Sequence, residues 1–274
     1  MGLTDLKIVI WCGNAPNQRA LANKIAALYP VAGIVIDVGV GKKKKRNLLD
    51  WPAVLIDRIR FRRIYGAWKN LMSYYDMGFP QWPACPVLKV NGINSKETET
   101  FTRDLHPDLV IVSGTALIKE PLLSIGARLG TINLHTGLSP FVKGGPNCLN
   151  WCIANNHWHL VGNTIMWLNS GIDAGNIITT ETVDVREAKN LDEAHKIVME
   201  HAHNLYLRAI AYLAGSAQPY QSVPQDTLGK GNLYLTKMWT AIKRKDLLRN
   251  WKNRKRTTVT TPPMTVSLHW QSNE

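Results

Sequence analysis

The stretch TINLHTGLSP, residues 131–140, sets two side chains of different chemistry on what reads as one strand. Asn133 and His135 are two apart, so in an extended chain both project from the same face. A carboxamide can hold a developing oxyanion, and an imidazole moves protons near neutral pH. Further on, SGIDAG places Asp173 between Gly171 and Gly175. A carboxylate beside an imidazole orients the ring and favours its charged form. Together the three suit attack of an amine on a carbonyl carbon through a tetrahedral intermediate. A histidine ending a strand is ordinarily just a polar residue, so the catalytic reading rests on the three occurring in one pattern.

The surrounding elements must bring them together. LKIVIWCG (6–13) is a continuous apolar run, as in a strand covered on both faces. NQRALANKIAALYP (17–30) has helical spacing and stops at Pro30, and VAGIVIDVG (31–39) is a second buried strand. This β-α-β opening predicts an α/β fold: a Rossmann-like, doubly wound, mostly parallel sheet. Residues 41–76 read as a basic, aromatic helical stretch. PVLKVNGIN (86–94) and DLVIVSG (108–114) read as strands, and TALIKEPLLSIGA (115–127) as a helix. GTINLH (130–135) is the next strand, GGPNCLNWCIANN (144–156) a helix with Pro146 in its first turn, and LVGNTIMWLN (160–169) another strand. A glycine-bracketed turn and strand (170–185) lead into a long amphipathic helix over 191–215. The expected division is a catalytic domain over 1–215 and a short basic C-terminal extension over 216–274. In an open parallel sheet ligands bind beyond the carboxyl ends of the strands, where Asn133, His135, Asp173 and the SGTALI turn converge.

The net charge of +13 and pI near 9.7 predict an anionic partner. Cys12, Cys85, Cys148 and Cys152 are few and set among apolar residues, which suits free thiols and a reducing, cytoplasmic setting. The run at the N-terminus is too short and wrongly flanked for a signal peptide. WCGNAPNQRA lacks the Gly-x-Gly-x-x-Gly of nicotinamide-binding enzymes, and GVGKKKKR lacks phosphate-loop spacing. Cys148 and Cys152 with His157 and His159 do not have standard zinc spacing, so no metal is expected. Residues 58–75, RIRFRRIYGAWKNLMSYY, interleave basic and aromatic side chains. They suit a membrane surface, a nucleotide diphosphate, a dimer face, or a surface helix with its aromatics packed inward.

INLHTGLSP…KGGPNCLNW…VGNTIMWLNSGIDAGNII resembles the formyltransferases that use N10-formyltetrahydrofolate. The resemblance is good over residues 106–180 and weaker over 1–40. It implies that Asn133 binds the formyl oxygen as it gains charge. It also implies that His135, as imidazolium, stabilises that charge or shuttles the amine proton, and that Asp173 holds His135 and helps deprotonate the acceptor. It places the pterin against two stretches, Ser113, Gly114, Thr115, Leu117 and Ile118 in the first and Trp167, Leu168, Gly171 and Ile172 in the second. It makes Ser139, Pro140, Gly144 and Gly145 an acceptor-side loop, the first two shaping it. Within the family, methionyl-tRNA enzymes add a β-barrel domain, for which the 59 residues after 215 (274 − 215) are too few. The tail GKGNLYLTKMWTAIKRKDLLRNW and the aromatic in KGGPNCLNW are more similar to enzymes that formylate nucleotide-linked amino sugars for surface polysaccharide. The implied partners are folate and such a sugar, with no nucleic acid, a homodimer, and a membrane-adjacent pathway. Methionyl-tRNA, glycinamide ribonucleotide or a non-catalytic folate-binding role are the alternatives.

Overall fold

The computed structural model describes residues 6–40, 51–145, 147–258 and 260–268. In chain order the elements are β1 (Ile8–Gly13), α1 (Pro16–Ala26), β2 (Val31–Asp37), α2 (Trp51–Arg60), α3 (Arg62–Gly78), β3 (Val87–Val90), α4 (Lys96–Asp104), β4 (Leu109–Ser113), β5 (Thr131–His135), β6 (Val142–Gly144) and α5 (Cys148–Ala154). There follow β7 (Gly162–Trp167), β8 (Ile177–Thr182), α6 (Leu191–Gly215), α7 (Gln225–Leu228), β9 (Asn232–Tyr234) and α8 (Ala241–Asn253).

The main sheet has the order β3-β2-β1-β4-β5-β7-β8. Strands β1 to β5 run parallel, whereas β7 is antiparallel to both β5 and β8. Every residue of β1 and β4 is buried. Their alternation explains the unbroken apolar runs: Ile8, Ile10 and Cys12 join the layer containing α1 and α6, while Val9 and Trp11 join the opposite layer with Val110, Val112 and Ile118. Strand β2 leads outward to β3 and β4 leads the other way to β5, so the strand order reverses between β1 and β4 while both strands stay parallel.

The long helix α6 starts where Asn190 accepts from the Glu193 amide at 2.8 Å and Glu193 accepts from the Lys189 amide at 2.6 Å, a close variant of the capping box. Its buried stripe, Leu205, Tyr206, Ala209, Ile210 and Leu213, packs under the sheet. Trp151 centres a second apolar cluster, stacked on Tyr234 at 4.6 Å and edge-on to Trp239 at 4.8 Å.

Three local expectations change. The 115–127 segment forms only a 3-10 turn at Leu122–Ser124. Pro121 cannot donate an amide proton and pushes Glu120 out of helical geometry, although Ile118, Leu122 and Ile125 still pack on the sheet as a helix stripe would. The helix expected from 144 begins at Cys148, after Asn147 caps it by accepting from the Asn150 amide at 3.3 Å; Pro146 lies outside the described residues. The stretch 41–76 divides at Phe61 into α2 and α3, and residues 41–50 lie outside the described residues.

Candidate functional site

At the β1–β4 switch the two strand ends come very close. A Cβ on Gly13 would sit 2.5 Å from the Gly114 carbonyl oxygen, and Gly114 has φ +67°, so both positions require glycine. Beyond these ends opens a cavity of about 960 Å³, walled by the β1–α1 turn, the residues after β4, the end of β5 and the 168–173 loop. Its position matches the crevice that doubly wound sheets offer at a switch point.

Strand β5 delivers Asn133 and His135 to this cavity. His135 is buried, with Nδ1 3.3 Å from Asp173 Oδ2 and Nε2 2.8 Å from the Val142 carbonyl oxygen. Each ring nitrogen therefore faces an acceptor, the environment of a doubly protonated ring. Burial opposes the charged ring, but the Cys148 sulfur, the Asp173 carboxylate and the Val142 carbonyl outweigh it, pushing the pKa up to about 9. Cys148 lies against the same ring, its sulfur 3.7 Å from Nε2, and Cys152 donates to the Leu160 carbonyl.

Asp173 is held from three sides. Its Oδ2 accepts from the Gly144 amide at 2.9 Å, which ties it to β6. The Gln225 side chain donates to the carbonyls of Asp173 and Gly175, both at 2.8 Å. Among the residues of SGIDAG it is Asp173 itself that takes the left-handed conformation, at φ 47°. Gly175 is needed for proximity instead, since a Cβ there would fall 1.7 Å from the Trp167 carbonyl oxygen.

The cavity lining includes most of the residues singled out from sequence: Asn133, His135, Asp173, Ser113, Gly114, Thr115, Leu117, Ile118, Leu168, Gly171, Ile172, Gly144 and Gly145. Trp167 does not line it. Its ring packs against Gly130 and lies 6.0 Å from Tyr220. Ser139 and Pro140 also stay off the wall; Ser139 is buried and its amide donates to Thr164 at 2.9 Å.

Sequence reasoning missed Asn17 and Gln18 of α1, Trp68 of α3, Met199 and His203 of α6, and Tyr234, Leu235 and Thr236 beside β9. Asn17 and Gln18 were within reach of the switch-point rule, because α1 starts directly beyond β1. Nothing local marked Tyr234, which arrives because β9 pairs in parallel with β6: Val142 with Asn232, Gly144 with Tyr234. The side-chain amide oxygens of Asn17 (Oδ1) and Gln18 (Oε1) are buried without a protein partner.

An α/β sheet with a polar constellation at its switch point defines a class of ligand-binding enzyme folds, and comparison with known proteins narrows it. A family model described as formyl transferase matches residues 73–210, and the chain belongs to that family. A methionyl-tRNA formyltransferase from Clostridium botulinum (strain Alaska E43 / Type E3) is 35% identical over 129 residues, 46% of this chain and 40% of the relative. The chain thus matches less than half the length of that relative. A sugar N-formyltransferase structure from Shewanella sp FDAARGOS_354 superimposes with TM-score 0.55 at 20% identity, covering 89% of this chain and 87% of the other. A sugar 3N-formyl transferase solved in the presence of dTDP and 5-N-formyl-THF gives 0.55 at 13% identity, covering 96% and 84%. These two show a shared fold.

Proposed function

We propose that the chain is an N-formyltransferase that moves a formyl group from N10-formyltetrahydrofolate to the amine of a nucleotide-linked amino sugar. The observation that carries the transfer chemistry is His135, paired with Asp173 at 3.3 Å and set beside Asn133 on the wall of the large cavity. The cavity suits a folate. Leu117 and Ile172, 42% and 46% exposed, give apolar surface for a flat ring, and the side chains of Asn17 and Gln18 add polar character to the wall.

The folate supplies the formyl carbon. As the acceptor amine attacks, charge gathers on the formyl oxygen, where the Asn133 carboxamide and the His135 imidazolium stabilise it. His135 is held charged by the Asp173 carboxylate, so it works as a fixed cation. Asp173 Oδ1, the carboxylate oxygen not turned to His135, takes the amine proton; collapse of the tetrahedral intermediate then breaks the bond from the formyl carbon to N10, the proton passes to N10, and tetrahydrofolate leaves.

For the acceptor, the reading is supported by the length over which the chain aligns with sugar N-formyltransferase structures, and by an extension built of β9 and α8. A methionyl-tRNA acceptor is favoured by the 35% identity over 129 residues and the +13 charge. The test is mass spectrometry of acceptors incubated with the protein and N10-formyltetrahydrofolate: nucleotide-linked 3- and 4-amino sugars, glycinamide ribonucleotide and methionyl-tRNA. One added formyl group on a sugar nucleotide is the expected result. A gain on tRNA or the ribonucleotide alone overturns the acceptor but keeps the chemistry. No product on any, with folate bound, overturns the activity.

A further inference from the structure

Helix α2 has no buried residue, yet it is rich in large apolar side chains. Trp51, Leu55, Ile56 and Ile59 are 66%, 58%, 64% and 62% exposed. At about 100° per residue, Trp51, Leu55, Ile59, Pro52 and Ile56 fall in that order within an arc of about 140°. Arg58 flanks one border of the arc and Arg60 the other. Exposed Arg62 and Arg63 follow directly on α3. No ion pair among the described residues neutralises these four arginines.

The opposite side of α2 is fastened. Asp57 accepts from Arg244 of α8 at 2.7 Å and from the Tyr65 hydroxyl, and the Arg244 guanidinium lies 5.0 Å from the ring centre of buried Phe61. The helix therefore cannot roll its apolar arc inward without breaking these contacts. An outward apolar stripe edged by arginines has the form of a helix lying in a lipid interface, with aliphatic side chains among the acyl chains and guanidinium groups at the headgroups. We propose that α2 docks this protein reversibly on an anionic lipid surface.

Charge complementarity favours this occupant over two others. A second copy seated face to face would crowd the unneutralised arginines of both against each other. A nucleic acid would engage the arginines but leave Leu55, Ile56 and Ile59 in water.

The experiment is flotation of the full chain with phosphatidylcholine vesicles, with and without phosphatidylglycerol. Expected is association with the anionic vesicles only. Changing Leu55→Ser with Ile59→Ser keeps every charge and should weaken it by about ten-fold or more, because partition follows buried apolar area. Arg58→Gln and Arg60→Gln should each weaken it about five-fold. The melting temperature should not move, since the altered side chains are exposed. Failure to float, or equal flotation of wild type and the Leu55/Ile59 variant, overturns the proposal, the latter because net charge alone would then explain binding. So does a change of oligomeric state, or loss of tRNA binding, in that variant while vesicle association is unaltered.

Discussion

His135 is a buried cation whose charge depends on its neighbours. Its pKa stands at about 9 in the folded chain against about 6.5 for a free imidazole. The folded state thus holds the proton more tightly than the unfolded state. The stability this contributes is complete below pH 6.5 and is lost as pH rises through 9, with a ceiling on the order of 3 kcal/mol. Imidazole ¹⁵N shifts should report a ring still protonated at pH 8. Changing Asp173→Asn should bring the titration to lower pH and reduce kcat by about 100-fold or more, while the chain stays folded. A D173N protein with both titration and kcat unaltered would show that the carboxylate neither charges nor orients the ring.

At the level of elements, Tyr206 shows how helix α6 holds the site strand in place. Its hydroxyl receives the Val112 amide at 3.0 Å and donates toward the Ile132 carbonyl at 2.8 Å, stitching β4 to β5 one residue before Asn133. Tyr206→Phe would strand a buried N–H and a buried C=O. It should cost about 1–3 kcal/mol in urea unfolding, with no loss of the apolar packing. Chain removal after residue 231 should be worse for function than for the main sheet. It deletes β9, the partner of the strand whose Val142 carbonyl and Gly144 amide meet His135 and Asp173. Turnover should fall to background while the far-ultraviolet spectrum keeps its helical signal. The parallel strands, α6 and the meeting of Asn133 and His135 on one strand face were legible because each is written in local pattern: apolar runs, a 3.6 period, and side chains two apart on a strand. The β6–β9 pairing was not, since two three-residue strands joined across 87 intervening residues carry no period to read. Nor was the broken 115–127 helix, whose apolar spacing survives although Pro121 forbids the hydrogen bonds.

For the molecule as a whole, two buried histidines work against His135. Burial depresses His195 to about 4 and His203 to about 3. Below pH 6.5 the unfolded chain therefore binds protons that the folded chain refuses, and stability falls as pH drops toward 4. Each contributes up to about 1.4 kcal/mol per pH unit in that window. Denaturant midpoints measured from pH 7 to 4.5 should decline steeply, and His195→Asn should flatten the slope by about one proton's worth. An unaltered slope would mean that His195 titrates normally in the fold.

The union of β6 with β9 also has a temporal side. Ribosomes deliver the chain from its N-terminus, so the sheet, His135 and Asp173 all emerge before residues 232–234. Until that late strand arrives, β6 has no partner in the two-stranded sheet, and the segment that meets His135 and Asp173 lacks its brace. Synthesis and competence are thereby separated. If the proposed chemistry holds, a chain ending before residue 232 would carry Asn133, His135 and Asp173 and still lack turnover, so activity would report only on chains that include β9.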